Sequence, residues 1–292
     1  MLERTIRSPH TIDLTATVAP LAHGDGSVRL GRDSVDRAVV TPDGPASQRI
    51  EASGGEVRVE AWGPGASWLL ESAPSLIGCR DDADGFEPKG VLRDLHRARP
   101  GLRIGATSRV FETLVPTILG QKVTTVAARR AMRKLVADYG SPAPGPLGLR
   151  LPPTPDRIVE IPYWEWHALG VERRRAETIR FAASCSSRLE GAPDADRLRH
   201  MLEALPGVGP WTVAKTMRVV TGDADAVETG DFHIPNTIAW VLAREERGDD
   251  ARMLELLEPY RGHRGRVVRI VCSSGRRAPA RGPRVRVASL PD

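Results

Sequence analysis

Apolar and polar residues alternate in several segments of the first 85 positions, with the period of two that half-buried β-strands show. The alternation predicts strands over residues 11–18 and 57–62, and a shorter strand over residues 37–40. Clusters of glycine, proline and aspartate between these segments predict tight turns. We therefore expect residues 1–85 to form a small, curled antiparallel sheet with one or two helices.

From residue 92 onward the apolar positions recur every three to four residues, as they do on one face of an amphipathic helix. The clearest stripe of this kind consists of Phe111, Leu114, Val115, Ile118 and Leu119. The helical pattern spans residues 108–139, with a break at Gly120 and an N-cap at Thr124. The chain is therefore predicted to be an α+β protein. Its β-rich domain covers residues 1–85, its helical domain residues 86–275, and a basic, disordered tail residues 276–292.

A short glycine-rich turn, LPGVG at residues 205–209, separates two further helical patterns. Gly207 and Gly209 can adopt positive φ and leave their backbone N–H groups uncovered. The amides of Gly207, Gly209 and Thr212 would then lie at the N-terminus of the second helix, where the helix dipole favours an anion. This pattern predicts a helical hairpin that holds a phosphate group.

A lone acid, Asp231, follows the hairpin in the sequence VETGDFHIPN at residues 227–236. Proline is tolerated only in the first turn of a helix, so Pro235 predicts that another helix begins close to Asp231. Aspartate is a common N-cap residue, and capping would also fix the position of the carboxylate.

Four segments in this order resemble the helix–hairpin–helix DNA glycosylases, and in particular their alkyladenine (3-methyladenine, type II) branch. They are the hairpin with its downstream acid, FETLVPTILGQKVT at residues 111–124, the stretch 153–191, and EPYRGHR at residues 258–264. The resemblance covers residues 85–275. It implies that the partner is damaged double-stranded DNA. It also implies a base-excision reaction that hydrolyses the N-glycosidic bond of an alkylated purine and leaves an abasic site.

The resemblance assigns catalysis to Asp231. The N-glycosidic bond breaks through an oxocarbenium-like transition state, so a carboxylate beside the sugar is most stabilising as charge develops there. The carboxylate can also orient or deprotonate the attacking water. Relatives that also cut the strand have a nucleophilic lysine where this chain has Trp211, which implies hydrolysis alone. Lys215, one helical turn further on, leaves a displaced amine open as an alternative.

The same resemblance places the base pocket at Trp211, Phe232 and Tyr260, whose electron-rich rings would attract a cationic alkylated base. Lys215 stands where the branch often has a tyrosine. A lysine there would repel a cationic base, and it leaves room for a neutral lesion such as 8-oxoguanine or hypoxanthine. A non-catalytic protein that binds lesions on this scaffold is a further alternative, against which the intact Asp231 argues.

Contacts with DNA outside the hairpin are implied at Gln121, Lys122, His233 and Arg261. In relatives the residue after this glutamine is usually apolar and fills the gap left by the flipped nucleotide. The stem of Lys122 could fill that space while its amine reaches a phosphate, and a solvated lysine is the alternative. For His233 the alternative to a DNA contact is packing or capping.

The composition of the chain limits which partners, cofactors and cellular compartment are expected. The net charge of +5 suits a polyanionic partner. Three cysteines cannot hold the four-cysteine iron–sulfur cluster of some relatives, and no redox or organic cofactor is expected. The resemblance allows a structural Na⁺ or K⁺ on the main-chain carbonyls of Glu203, Leu205 and Val208. We find no signal peptide and no run of about 18 apolar residues, so we expect a cytoplasmic protein without membrane contact, nucleoid-associated if bacterial. We also expect a monomer.

Overall fold

A computed structural model describes residues 1–279 of the chain, and the predicted tail lies mostly outside these residues. The first part is a five-stranded antiparallel sheet with the strand order β1-β5-β4-β3-β2. The strands are β1 (Leu2–Arg7), β2 (Val28–Leu30), β3 (Ser34–Thr41), β4 (Gly44–Ser53) and β5 (Glu56–Trp62). The strand predictions for residues 37–40 and 57–62 are confirmed, as is the α+β fold class.

The strand predicted over residues 11–18 is wrong, because this segment contains helix α1 (Leu14–Val18) followed by a 3₁₀ helix (Ala19–Leu21). Asp13 caps α1 by accepting a hydrogen bond from the amide of Ala16 at 2.9 Å. The buried positions Leu14, Thr17 and Val18 follow the helical spacing, which a partly alternating sequence concealed. The strand that does form, β1, buries only Ile6 and therefore lacks an alternating apolar signal.

Helices follow the sheet. The first five are α2 (Ala66–Leu76), α3 (Gly90–Arg97), α4 (Val110–Leu119), α5 (Thr125–Tyr139) and α6 (Pro155–Glu160), with a small ladder of β6 (Ser141–Pro142) and β7 (Arg150–Leu151) before α6. Then come α7 (Tyr163–Ala168), α8 (Arg173–Ser184), α9 (Ser186–Glu190), α10 (Ala195–Glu203) and α11 (Pro210–Thr221). The last are α12 (Ile234–Ala243), α13 (Asp250–Leu257), a 3₁₀ helix (Glu258–Tyr260) and α14 (Arg264–Ser273). Within residues 1–279, no helix combines the length and the apolar character that a membrane span needs.

The predicted break between α4 and α5 is confirmed, and it positions the site described below. The five stripe residues of α4 are all buried in one core with the apolar faces of α8 and α11. Thr124 caps α5 through its side chain, which accepts from the amide of Ala127. Residues 120–124 therefore form a short exposed turn held between two anchored helices.

Buried ion pairs connect the N-terminal region to the helices. Arg37 of β3 is fully buried and donates to both carboxylate oxygens of Glu112 on α4, at 3.1 and 2.5 Å. Arg266 of α14 donates to both carboxylate oxygens of Asp81, each at 2.7 Å, and both side chains are almost completely buried. Each pair satisfies a charge that would be costly to bury alone.

Removal of Asp81 is therefore expected to lower stability strongly. In Asp81→Ala the guanidinium of Arg266 stays buried without its partner, which costs about 3–5 kcal/mol of unfolding free energy. Urea unfolding followed by circular dichroism measures this loss. Asp82→Ala is the matched control, because its exposed carboxylate accepts from the amide of Asp84 and from no other group among residues 1–279. Equal losses in the two variants would contradict a special contribution from the buried pair.

Candidate active site

The predicted hairpin is confirmed as the turn between α10 and α11. The amide of Val208 donates to the carbonyl of Leu205 at 3.1 Å and closes the turn. Gly207 has a φ of +82°, and a Cβ placed there would lie 2.1 Å from Oγ1 of Thr178. Gly209 has a φ of −109° and open space at its Cβ position, so only Gly207 uses the conformational freedom of glycine.

The first residues of α11 offer free amides at its N-terminus. Gly209 is the N-cap, no side chain caps the helix there, and Pro210 occupies the first turn. The amide of Thr212 belongs to the same first turn, where the helix itself supplies no acceptors. These amides lie at the positive end of a 12-residue helix, which suits a phosphate group.

Asp231 lies in the loop before α12, and three N–H groups hold its carboxylate. One oxygen accepts from the amides of His233 at 2.7 Å and Ile234 at 2.9 Å. The other oxygen accepts from the indole Nε1 of Trp211 at 2.9 Å. The helix begins at Ile234, so Asp231 caps it from three residues upstream and is not the N-cap residue itself. The half-buried carboxylate is thereby fixed beside the first turn of α11.

Lys215, on the next turn of α11, lies close to Trp211. Its Nζ lies over the ring of Trp211, 4.8 Å from the ring centroid. Burial lowers the pKa of Lys215, although the carboxylates of Glu228 and Asp231 act in the opposite direction. The ring of Trp211 thus contacts both the carboxylate of Asp231 and the amine of Lys215.

The turn between α4 and α5 lies against this group. A Cβ on Gly120 would lie 3.7 Å from the indole of Trp211. The side-chain amide of Gln121 donates to the carbonyl of Gly207 at 3.0 Å and to Oγ1 of Thr212 at 2.9 Å. Gln121 therefore ties this turn to the hairpin.

No family model matches the chain, but comparisons with known proteins found similar sequences and similar folds. Over 169 residues the chain is 35% identical to the probable bifunctional transcriptional activator/DNA repair enzyme AlkA of Mycobacterium tuberculosis, covering 56% of this chain and 32% of that protein. Over 129 residues it is 32% identical to DNA-3-methyladenine glycosylase 2 of Escherichia coli, covering 42% of this chain and 45% of that protein. The structure of a 3-methyladenine DNA-glycosylase from Archaeoglobus fulgidus superposes with a TM-score of 0.78 at 17% identity, covering 93% of this chain and 98% of the other.

The chain belongs to the helix–hairpin–helix DNA glycosylase superfamily. The matched segments span only about a third to a half of the curated relatives' length. The superposition at 17% identity shows the shared fold alone. Membership therefore establishes the scaffold of this superfamily member and does not by itself establish its activity.

Other residues predicted for the base pocket of this superfamily member are not gathered around Trp211. Phe232 is 83% exposed, and its ring meets the ring of His233 edge-on at 4.8 Å. Tyr260 lies in a different apolar cluster, with its ring 6.2 Å from that of Phe86. The structure thus joins Trp211, Lys215 and Asp231 directly, and it leaves Phe232 free to meet a ligand.

The structure places Lys122, His233 and Arg261, three of the residues predicted to contact DNA, at the protein surface. Lys122 is exposed and has a φ of +54°, which side-chain-bearing residues rarely adopt. Arg261 is exposed and pairs with Glu258 at 2.5 Å. The backbone amide of His233 donates to Asp231, and the His233 side chain makes no capping hydrogen bond to α12. Contact of these residues with DNA stays a prediction.

A loop of the N-terminal region, residues 22–27, contacts α5, which was not predicted from the sequence. Burial lowers the pKa of His23, and the charges acting on this group include those of Lys215 and Arg129. The carbonyl of Gly24 in the same loop accepts from Nε of Arg133 at 3.2 Å. The sequence predicted only a turn at residues 23–26, because Arg133, which this loop contacts, lies more than a hundred residues further along the chain.

The predicted cation site lies near a cleft on another face of α11. Glu203 and Val208 line this cleft, which has a volume of about 560 Å³. The carbonyl of Leu205 already accepts the amide of Val208 and retains a second lone pair. Carbonyl oxygens are suitable ligands for Na⁺ or K⁺, so the donor type fits, and occupation of the site stays a prediction.

The two hydrogen bonds from Gln121 to the hairpin are expected to strengthen DNA binding. In Gln121→Ala two hydrogen bonds to the hairpin are lost, each contributing about 0.5–1.5 kcal/mol, so we expect binding to weaken by about fivefold or more, and at most about 150-fold. Fluorescence anisotropy with a duplex containing an abasic-site analogue measures the affinity. Gln121→Glu keeps the size but turns an acceptor toward the Gly207 carbonyl, and should bind no better than the alanine variant. Unchanged affinity in both variants would show that the turn and the hairpin act independently.

Proposed function

We propose that this protein is a monofunctional DNA glycosylase of base excision repair. It would flip a damaged purine out of duplex DNA, hydrolyse the N-glycosidic bond and leave an abasic site. The observation that supports this proposal most is the carboxylate of Asp231, which three N–H donors hold beside the hairpin. A side chain used only as a helix cap would not require the third donor, the indole of Trp211.

The geometry suits hydrolysis at a flipped nucleotide. Flipping brings the base into a pocket and exposes the sugar. The amides at the start of α11 would hold a neighbouring backbone phosphate. Asp231 would then stabilise the positive charge that develops on the sugar and accept a proton from the attacking water. At the position where strand-cutting relatives have a lysine this chain has Trp211, whose indole cannot form a Schiff base.

The first candidate substrate is an alkylated purine of the 3-methyladenine type. Two of the relatives described above carry that lesion in their names. The ring face of Trp211 attracts positive charge, as its contact with the Lys215 amine shows, and a base alkylated at N3 or N7 is cationic. Such a base is already a good leaving group, so a carboxylate beside the sugar would suffice.

A second candidate is a neutral lesion such as hypoxanthine or 8-oxoguanine. It is favoured by the same contact, because Lys215 already places an amine on the ring face that a cationic base would need. The substrate class therefore depends on whether the ring face of Trp211 is occupied by the Lys215 amine or by a cationic base.

Base release by the wild-type protein tests the proposal. Duplexes containing 7-methylguanine, hypoxanthine or 8-oxoguanine are incubated with the protein, and the free base is detected by liquid chromatography. Release of a base with an intact strand supports a monofunctional glycosylase. Strand cleavage by β-elimination would contradict the monofunctional assignment. Binding of all three duplexes without release would favour a non-catalytic lesion-binding protein.

A further inference from the structure

We propose that Lys215 is the general acid of this site, donating a proton to the departing base, and that the pocket therefore serves neutral purine lesions. This inference rests on the glycosylase function proposed above. It assigns a catalytic role to a residue that the hydrolysis of a cationic base would not need.

The position of the amine relative to Asp231 supports this role. The indole of Trp211 separates them, with the Lys215 amine over its ring face at 4.8 Å and the Asp231 carboxylate on its edge nitrogen at 2.9 Å. A sugar placed against Asp231 would direct its base toward the ring face, where the amine lies. Carboxylate and amine would then flank the bond that breaks.

The amine of Lys215 is also left without a hydrogen-bond acceptor among the described residues, and its contact there is the ring of Trp211. The nearby carboxylate of Glu228 is engaged by Arg218, whose Nη1 lies 2.6 Å from Oε2. The N–H donors of Lys215 are therefore available to an acceptor on a ligand, such as a purine ring nitrogen or carbonyl oxygen.

The chemistry distinguishes the two substrate classes. A cationic alkylated purine leaves as a neutral base without further protonation, and an ammonium group would repel it. A neutral purine would leave as an anion, so protonation at a free ring nitrogen such as N3, or at a carbonyl oxygen, lowers the barrier. As the C1′–N9 bond breaks, its electron pair goes to the base, which takes a proton from Lys215. Water attacks C1′ and gives a proton to Asp231, and exchange with solvent restores both groups.

The charges around the amine make this transfer pH-dependent. The groups that act on it are Glu228, Arg218 and Asp231, and it lies close enough to His23 to influence that ring. Burial lowers the pKa of Lys215, which makes the ammonium a stronger acid than a solvated lysine. Only the protonated form can donate, so release of a neutral base should fall as the pH rises through this pKa. Release of a cationic base should not follow that fall.

The test compares Lys215→Met with wild type on neutral and cationic lesions under single-turnover conditions. We expect the methionine variant to release hypoxanthine or 8-oxoguanine about 10²–10⁴-fold more slowly and to lose the alkaline fall in rate. Release of 7-methylguanine should become faster, because the ammonium group that repels a cationic base is gone. Lys215→Arg keeps a charge over the ring but cannot give up its proton, so it should bind normally and release the neutral base slowly. Lys89→Met, at an exposed lysine, is the matched control.

Several results would overturn the proposal. Equal loss on both lesion classes in Lys215→Met would indicate a structural role. Release of only 7-methylguanine by wild type would leave the glycosylase function intact and refute the neutral substrate. A borohydride-trapped adduct that requires Lys215 would make it a nucleophile and not a proton donor. Absence of release from every duplex would instead refute the glycosylase function itself.

Discussion

Asp231→Asn is expected to slow base release by about 10²–10⁴-fold while leaving DNA binding intact or slightly tighter. The substitution removes the charge that would stabilise the oxocarbenium-like sugar and accept the proton of water. It also removes one negative charge close to the DNA backbone, which can only favour binding. Single-turnover base release and duplex affinity, measured in parallel, separate the two effects.

The variant must also be shown to fold, because the carboxylate is a structural acceptor. An asparagine can still accept from the amides of His233 and Ile234, but its amino group would face the indole of Trp211. Loss of that one bond costs about 1–3 kcal/mol. Trp211→Phe removes the same bond and retains the charge, and should slow release less than Asp231→Asn does. Asp156→Asn, at an exposed acid of α6, controls for the loss of a charge. Normal release by a folded Asp231→Asn protein would exclude this carboxylate from catalysis.

Gly207→Ala is expected to destabilise the hairpin and weaken DNA binding about tenfold or more. An alanine at a φ of +82° costs about 1–2 kcal/mol, and its Cβ would collide with Oγ1 of Thr178 at 2.1 Å. The backbone must shift to relieve this contact, which would displace the amides at the start of α11. Unfolding by urea and duplex affinity by anisotropy measure both consequences.

Gly209→Ala provides the contrast within the same turn. Its φ of −109° suits alanine and no atom lies within 4 Å of the new Cβ, so stability should be retained. Affinity should fall only if a phosphate approaches this part of the backbone, which makes the variant a probe of anion binding. Thr178→Ala combined with Gly207→Ala removes Oγ1, the atom of closest approach, and should recover part of the stability. Equal stability losses in the two glycine variants would contradict the assigned backbone roles.

Much of this protein was predictable because its signals are local. The turn LPGVG, the N-cap Thr124 and the early Pro235 each act within one helical turn, and the hairpin, α5 and α12 form where they predict. The stripe on α4 predicted its own burial for the same reason. The strand expected over residues 11–18 failed because a short helix and an alternating strand can share one pattern of apolar residues.

The sequence by itself determined the α+β composition, the hairpin and the placement of Asp231 before a helix. Tertiary structure alone decided which side chains meet. It placed the amine of Lys215 over Trp211, tied Gln121 to the hairpin across 86 positions, and brought the loop of Gly24 against Arg133 of α5. It also paired β1 with β5, although β1 has almost no apolar signal. Contacts between distant segments depend on how packed faces orient their side chains, and this orientation leaves no trace in local spacing.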